Sequence, residues 1–190
     1  MLKDLVEKSR SVRSFKAGER LSAETLRELV ELARVCPAAM NLQPLKYRLV
    51  FEEDECAALL AETRWAASLS VKLPPEGHGP GGFIVICHDT AITPQKPLFT
   101  IDVGIVAQTM MLGACERGLG GCIIGSAAGD RVASLLGLPD HLVPVLILGL
   151  GVPDERVVLT EAENGAVKYY RDEENVHYVP KRPLDELIIQ

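Results

Sequence analysis

The longest apolar segment of the chain runs from Val103 to Ala114 and is interrupted by Gln108. A helix needs about 20 apolar residues to cross a membrane, so this segment is too short for a transmembrane role. It predicts a helix buried in a protein core, within a longer helical segment from Pro97 to Arg117 that Gly118 closes. We therefore expect a fold with one central helix.

Shorter apolar segments on both sides of this helix have the length of buried strands. Helical spacing recurs between them, and the alternation indicates layered α/β or α+β packing. A loop rich in proline and glycine, Leu73 to Gly82, is a candidate lid. The predicted strands are Lys46–Glu52, Phe83–Cys87, Gly121–Gly125 and Val143–Leu150, and the predicted helices are one capped by Ser22 and ended by Pro37, Asp54–Arg64, and Arg131–Leu136 followed by Gly137.

The character of the sequence changes after Pro153. Asn164-Gly165, between Val158 and Val167, is typical of a β-hairpin turn. The remainder, through Lys181 to Gln190, predicts an extended tail that covers a partner subunit. We expect residues 1–190 to form a single domain, with residues 154–190 as its C-terminal hairpin and tail.

Charge and cysteine content exclude several classes of function. A formal net charge of −6 and a pI near 5.3 oppose binding to nucleic acid, because neutralising phosphates requires a basic surface. The first ten residues lack the apolar stretch of a secretory signal. The five cysteines contain no Cys-x-x-Cys pair and indicate buried, reduced thiols. The sequence therefore predicts a cytoplasmic protein.

Common catalytic and nucleotide-binding motifs are absent. The sequence Gly118-Leu-Gly120 does not complete G-x-G-x-x-G because Ile123 holds the last position, and no G-x-x-x-x-G-K-[ST] stretch occurs. Ser126 lacks the glycines of a nucleophile elbow. The four histidines are too scattered to predict a metal site or a triad, at positions His78, His88, His141 and His177. We expect no metal and assign no catalytic side chain.

A short basic motif near the N-terminus is a candidate anion site. Arg10 and Arg13 are three residues apart and would share one helix face if the first helix extends this far. Guanidinium groups form charge-assisted hydrogen bonds that suit a phosphate, and Ser11 adds a hydroxyl donor. A solvated basic patch is the alternative explanation of the same residues.

This motif resembles the N-terminal signature of the nitroreductase family, which consists of small FMN-dependent oxidoreductases. Three later segments follow in the family's order, and their order carries the resemblance. They are Pro37-Ala-Ala-Met-Asn-Leu-Gln-Pro44, Asp102-Val-Gly104 through Gln108 to Gly118-Leu-Gly120, and Lys181-Arg182-Pro183-Leu184. The sequence departs from the family's common pattern at Ser9, Ala38 and Leu45, where many relatives have arginine, serine and tryptophan. These departures mainly affect which substrate the resemblance implies.

The resemblance implies which residues hold FMN. Arg10, Ser11 and Arg13 would contact its phosphate, ribityl chain or pyrimidine edge, with Lys181 or Arg182 closing on the phosphate. Ala39, Asn41 and Gln43 would lie near the flavin, where amides offer donors and acceptors, although these residues could instead fix the turn before Pro44. Backbone N–H groups of Ile123, Ile124 and Gly125 would meet the isoalloxazine ring, although a tight turn after a buried strand explains the same glycine.

The resemblance also implies an α+β, nitroreductase-like fold, with a central mostly antiparallel sheet flanked by helices. The assembly would be an intertwined homodimer with FMN sites at the subunit interface. The expected activity is transfer of hydride from NAD(P)H to the flavin, followed by reduction of a nitroaromatic, quinone or similar acceptor, in ping-pong order. The alternatives are an FMN enzyme of the same fold with other chemistry, such as dehalogenation or flavin conversion, and a non-catalytic flavin-binding protein.

Overall fold

The computed structural model describes residues 1–66, 69, 71–94, 96–127 and 129–189. The chain separates into two units, Met1–Pro153 and Asp154–Gln190, and each is described in turn. The first unit contains five α-helices and a four-stranded sheet within its described residues. The helices are α1 (Leu2–Lys8), α2 (Ala23–Arg34), α3 (Glu53–Ala61), α4 (Lys96–Glu116) and α5 (Gly129–Leu135), and the strands are β1 (Leu45–Val50), β2 (Gly82–Asp89), β3 (Gly120–Ile124) and β4 (Leu142–Gly151).

The sheet of the first unit has the order β1-β2-β4-β3, and each neighbouring pair is antiparallel. All eight residues of β2 are buried because helices cover both faces of the sheet. A strand buried on both faces has no polar side to show, which explains its continuous apolar sequence. The predicted α+β fold with a mostly antiparallel central sheet is confirmed.

Two apolar clusters pack on opposite faces of the sheet. On one face, Ile84 and Leu148 pack with α2 and with Met110 of α4. On the other face, Phe83 and Val85 pack with residues of α3 and α5. The apolar sequence of α4 is therefore explained by its position in the core, as predicted. No helix among the described residues is long and apolar enough to cross a bilayer.

The predicted helix boundaries agree with the structure to within a few residues. The Ser22 side chain accepts a hydrogen bond from the Thr25 backbone N–H at 3.1 Å, which confirms the predicted cap of α2. Gly118 and Gly137 follow α4 and α5 with φ of 74° and 60°, the left-handed conformation that favours glycine after a helix. Residues 71–81 form no helix or strand, so most of the predicted lid is a loop, but Gly82 already belongs to β2.

The second unit contains a small three-stranded sheet. Its strands are β5 (Val157–Glu161), β6 (Tyr170–Arg171) and β7 (His177–Lys181), in the order β5-β7-β6. β5 runs parallel to β7, whereas β6 runs antiparallel to β7. The side chains of Arg171 and Glu155 form a buried ion pair within this unit.

The turn predicted at Asn164-Gly165 is present, but the prediction that it joins two paired strands is wrong. The turn itself forms, with φ of 50° at Asn164 and 75° at Gly165, and the Ala166 N–H donates to the Glu163 carbonyl. The strand before this turn pairs with β7, so the turn does not join two paired strands. The two-residue turn signal is local, whereas β7 lies much later in the sequence. The tail is also not wholly extended, because Leu184–Glu186 forms a 3-10 helix. The predicted end at Gln190 lies outside the described residues.

Candidate functional site

The basic motif near the N-terminus follows α1 rather than extending it. α1 ends at Lys8, and Ser9 caps it with extended backbone geometry. Ser11 then forms a parallel β-bridge with Gly121, and the Val12 N–H donates to the Gly121 carbonyl at 2.8 Å. The condition for a shared helix face is therefore not met. An extended segment, which we call the arginine segment (residues 10–13), lies beside β3 instead.

The arginine segment contains a buried donor atom for which the described part of the chain provides no acceptor. Nη2 of Arg10 donates to the Val6 carbonyl at 2.6 Å. Its Nε atom is buried and has no acceptor among the described residues. An unsatisfied buried donor is unfavourable by about 1–3 kcal/mol, so such an atom marks a position where a ligand can supply the missing acceptor. Arg13 donates from Nη1 to the Ser11 carbonyl at 3.5 Å.

Two glycines of β3 allow its neighbours to approach closely, Gly120 on the side of the arginine segment and Gly121 on the side of β4. A Cβ atom on Gly120 would lie 2.8 Å from Cγ2 of Val12, and one on Gly121 would lie 2.5 Å from the Gly149 carbonyl oxygen. Larger residues are excluded at both positions by the chain itself. A Cβ atom on Gly125 would meet only Leu146 Cδ1, at 4.0 Å. The protein therefore imposes no steric need for glycine at position 125.

The end of β3 presents backbone to the surface. Ile124 is buried, Ile123 is 41% exposed, and Gly125 is exposed. The structure thus brings together two of the predicted groups of site residues, the arginine segment and residues 123–125, on one edge of the sheet. These six residues, Arg10, Ser11, Arg13, Ile123, Ile124 and Gly125, come from two stretches of the first unit that are far apart in sequence.

The third predicted group, which we call the amide segment (residues 39–43), has a strained backbone. Met40, Asn41 and Gln43 have φ of 53°, 54° and 50°, a left-handed conformation that is unfavourable for residues with a Cβ atom. Each such residue destabilises a fold by about 1–3 kcal/mol, and strain of this kind concentrates at functional sites. Gln43 Nε2 donates to the backbone and side-chain oxygens of Asn41, at 3.3 and 3.1 Å. These bonds also agree with the alternative role of fixing the turn.

A buried carboxylate on α4 supports the amide segment. Both oxygens of Asp102 accept a hydrogen bond from the Ala39 N–H, at 3.0 and 3.2 Å, and Asp102 is only 3% exposed. Asp102 belongs to the motif Asp102-Val-Gly104, from which the sequence predicts no contact with the amide segment. The available signal was an acidic residue inside an otherwise apolar helix, where a charge is unfavourable unless it is hydrogen-bonded.

A cavity of about 400 Å³ adjoins the amide segment and is bounded by Gln43, Tyr47 and Asp102. Burial raises the pKa of the Tyr47 hydroxyl to about 12, and the neighbouring Cys36 and Asp102 add to this shift. The Cys36 thiol donates to the Thr109 hydroxyl at 3.3 Å and so links the end of α2 to α4. The structure therefore gives Cys36 a packing role.

The last two predicted residues, Lys181 and Arg182, lie in the second unit. Lys181 is the final residue of β7 and is exposed. Nη1 of Arg182 donates to Glu186 Oε2 at 3.1 Å in a solvent-exposed ion pair. The predicted closure of these residues on a phosphate is not tested by these contacts.

Comparison with known proteins shows the family. A sequence model described as the nitroreductase family matches residues 6–77 and 84–152. The chain belongs to the nitroreductase family. The match covers the arginine segment, the amide segment, β3 and β4, so all three groups in the first unit lie inside the family's region.

Curated relatives of this nitroreductase-family chain bear the names of reductases. A Cr(VI) reductase of Pseudomonas sp. (strain G-1) is 25% identical over 197 residues, covering 89% of this chain and 77% of the relative. An FMN reductase (NADPH) of Bacillus subtilis (strain 168) is 27% identical over 164 residues, covering 76% of this chain and 62% of that protein.

A solved structure shows that the fold is shared. A nitroreductase family protein from Streptococcus pneumoniae TIGR4 superimposes with a TM-score of 0.74 at 18% sequence identity, and the match covers 100% of both chains. At this identity the likeness concerns the fold.

Proposed function

We propose that this chain is an FMN-dependent oxidoreductase that takes hydride from NAD(P)H and passes electrons to a nitroaromatic, quinone or similar acceptor in ping-pong order. The observation that carries the proposal is the unused Arg10 Nε atom, buried in a segment that is hydrogen-bonded to β3. A ligand with an anionic group and a flat ring fits this combination of a cationic segment and an accessible strand end.

The residues of the first unit fit FMN by their donors and by their open space. Arg10, Ser11 and Arg13 supply the cationic and hydroxyl donors that a phosphate dianion requires. Gly125 has free space where a side chain would be, so a planar ring can approach its backbone N–H closely. Asn41 and Gln43 carry exposed amides on a strained turn, which can address the polar edge of the ring.

Bound FMN would supply the two-electron chemistry itself. The chain would bind and orient the cofactor through the arginine segment, and it would tune the cofactor through backbone N–H groups at residues 123–125. We assign no general acid or base to any side chain. Lys181 and Arg182 stay a proposed part of the phosphate site.

We also propose the intertwined homodimer. The outward face of α4 is mostly apolar and carries one exposed amide, that of Gln108: Ile101 is 67% exposed, Gly104 is exposed, and Ile105 and Leu112 are half-buried. Exposed apolar side chains aligned on one helix favour a protein–protein contact. In such a dimer the arginine segment of one subunit and the amide segment of the other would share each FMN site. Light scattering on the purified wild type and on Ile101→Asp tests this assembly. We expect the mass of a dimer for the wild type and a shift towards the mass of a monomer for the variant. A folded wild type with the mass of a monomer would contradict the dimer.

The names of the relatives support an NAD(P)H-dependent reductase. One is an FMN reductase that uses NADPH, and another is a Cr(VI) reductase. Three of the five cysteines are buried and all five are free, which supports a reducing compartment such as the cytoplasm.

The decisive experiment combines a spectrum with turnover. The protein is purified, its visible spectrum is recorded, and the released chromophore is identified by chromatography. We expect a yellow protein that contains FMN and that oxidises NADH or NADPH steadily only when a nitroaromatic or quinone is present. Protein that stays colourless after incubation with FMN would overturn the proposal. Bound FMN that no nicotinamide reduces would favour the non-catalytic alternative, and reduction without turnover of these acceptors would favour other flavin chemistry.

A further inference from the structure

A second cavity begins at Ser126, two residues beyond the end of β3 that is proposed to face the flavin. Its volume is about 310 Å³. Its walls come from the end of α3 and the residues after it, from the segment that follows β3, and from α5. The lining residues are Ala61, Glu62, Arg64, Ser126, Ala127 and Arg131. Because Ser126 directly follows Gly125, this cavity and the proposed flavin edge belong to one continuous stretch of chain.

Specific hydrogen bonds hold the two walls of this cavity together. The Ser126 hydroxyl donates to the Arg64 carbonyl at 2.6 Å, and Thr63 forms an antiparallel bridge with Ala127. The indole N–H of Trp65 donates to the Thr63 hydroxyl at 2.7 Å, and Trp65 itself is buried. The backbone around Arg64 is therefore fixed against the backbone that follows Gly125, and the cavity has a defined position relative to that glycine.

The cavity is locally positive although the chain is acidic overall. Two guanidinium groups, of Arg64 and Arg131, line it together with one carboxylate, that of Glu62. Arg131 Nη1 lies 3.7 Å from Glu62 Oε2, which is longer than a hydrogen bond, and the Arg131 side chain is 75% exposed. The guanidinium of Arg131 therefore keeps donors that a ligand can use. In a chain of net charge −6, such a local excess of positive charge favours an anionic ligand at this position.

We propose that this cavity, formed by Arg64, Ser126 and Arg131, binds a phosphate group of the reduced nicotinamide dinucleotide. The inference rests on the proposed function, because it assigns the donor's binding to a place beside the flavin edge. Paired arginines form bidentate, charge-assisted hydrogen bonds with phosphate. The Ser126 hydroxyl, whose proton is donated to the Arg64 carbonyl, holds the wall of the cavity in place. The dinucleotide has two sources of this chemistry, its diphosphate and, in NADPH, its 2′-phosphate.

Direct binding tests the subsite without turnover. The probes are adenosine 2′-phosphate and inorganic pyrophosphate, titrated into the wild type, Arg64→Gln, Arg131→Gln and the control Arg27→Gln by calorimetry. Arg27 is an exposed arginine of α2 that lies outside this cavity. We expect each cavity variant to bind one of the probes about tenfold more weakly, as for the loss of one charge-assisted hydrogen bond. The control should bind as the wild type does.

Kinetics with both donors then identify the phosphate. A rise of about tenfold in KM for NADPH alone would assign the 2′-phosphate, and an equal rise for NADPH and NADH would assign the diphosphate. In both cases kcat and the KM for the acceptor should stay near wild-type values. Unchanged probe binding in both cavity variants, or a rise confined to the KM for the acceptor, would overturn the inference.

The FMN content of each variant separates this inference from the proposed function. Variants that keep their FMN and lose probe binding support the subsite. A wild-type protein without FMN would remove the proposed function, and the probe titrations would still show whether the cavity binds phosphate.

Discussion

The arginine segment and the amide segment present their side chains by different physical means. The arginine segment is extended and is held by backbone pairing with β3, where the glycine at position 120 allows the close approach of Val12. The amide segment has three residues with left-handed backbone and is held by the buried carboxylate of Asp102. Regular pairing is stable by itself, whereas a strained turn depends on the group that braces it. Side-chain variants of Arg10 and Arg13 should therefore affect ligand binding alone, whereas side-chain variants at the brace of the amide segment should also affect stability.

The largest expected effect is on FMN binding when both arginines are removed. Arg10→Ala with Arg13→Ala removes two charge-assisted contacts of about 1.5–3 kcal/mol each, so the Kd for FMN should rise on the order of 10²- to 10⁴-fold. Equilibrium titration of the apoprotein with FMN measures this change. The free energy of unfolding of the apoprotein should stay within about 0.5 kcal/mol of the wild-type value.

Two controls make this result specific. Lys3→Ala removes an exposed cation of α1 that lines none of the described cavities, and it should leave the Kd unchanged. Arg10→Lys keeps the charge and loses the Nε donor, so its Kd should lie between the wild type and the double variant. Full FMN occupancy in the double variant would show that the phosphate binds elsewhere.

Removal of the Asp102 carboxylate should lower both the stability of the protein and its affinity for FMN. Asp102→Ala leaves the Ala39 N–H without its carboxylate, which should lower the free energy of unfolding by about 2–3 kcal/mol. The Kd for FMN should also rise, because Asn41 and Gln43 would lose their fixed backbone. Asp102→Asn keeps one acceptor oxygen and should show a smaller loss of stability. Urea unfolding of the apoproteins measures the change, and an Asp102→Ala protein as stable as the wild type would contradict the bracing role.

The contrast between the two segments also explains what the sequence could predict. The helices and strands of the first unit follow from apolar spacing, caps and glycines, as at Ser22 and Gly118, because these signals are local. The pairing of β5 with β7 was missed because it joins residues far apart in sequence. The role of Asp102 was missed for the same reason, since its partner Ala39 lies 63 residues earlier. Left-handed backbone at Met40 was also unpredictable, because only tertiary contacts impose it on a residue with a side chain.

A smaller effect on stability should come from Tyr47, beside the amide segment, at alkaline pH. Burial raises the pKa of Tyr47 to about 12, above its usual value of about 10, so the folded protein keeps this proton when the unfolded chain loses it. The free energy of unfolding should therefore fall as the pH rises from about 10 to about 12, by about 1 kcal/mol after allowance for partial exposure. Tyr47→Phe should lose that part of the pH dependence, as measured by urea unfolding across this range. An identical pH profile in Tyr47→Phe would show that other groups cause the decline.

The smallest effect concerns glycine substitutions, which should change the free energy of unfolding in opposite directions in the two segments. Met40 has left-handed backbone and an 80% exposed side chain, so Met40→Gly removes backbone strain and little packing. The relief of strain stabilises the fold by about 1–2 kcal/mol, which exceeds the destabilisation of about 0.5–1 kcal/mol from the greater chain entropy of glycine. The apoprotein should therefore become more stable by about 0.5 kcal/mol, whereas Met40→Ala should change little. In the extended arginine segment, Ser11→Gly should instead destabilise the apoprotein by about 0.5–1 kcal/mol, because only the entropic loss applies there. Thermal unfolding of the three variants measures these signs, and destabilisation by Met40→Gly would show that the side chain, rather than the backbone strain, decides stability at this turn.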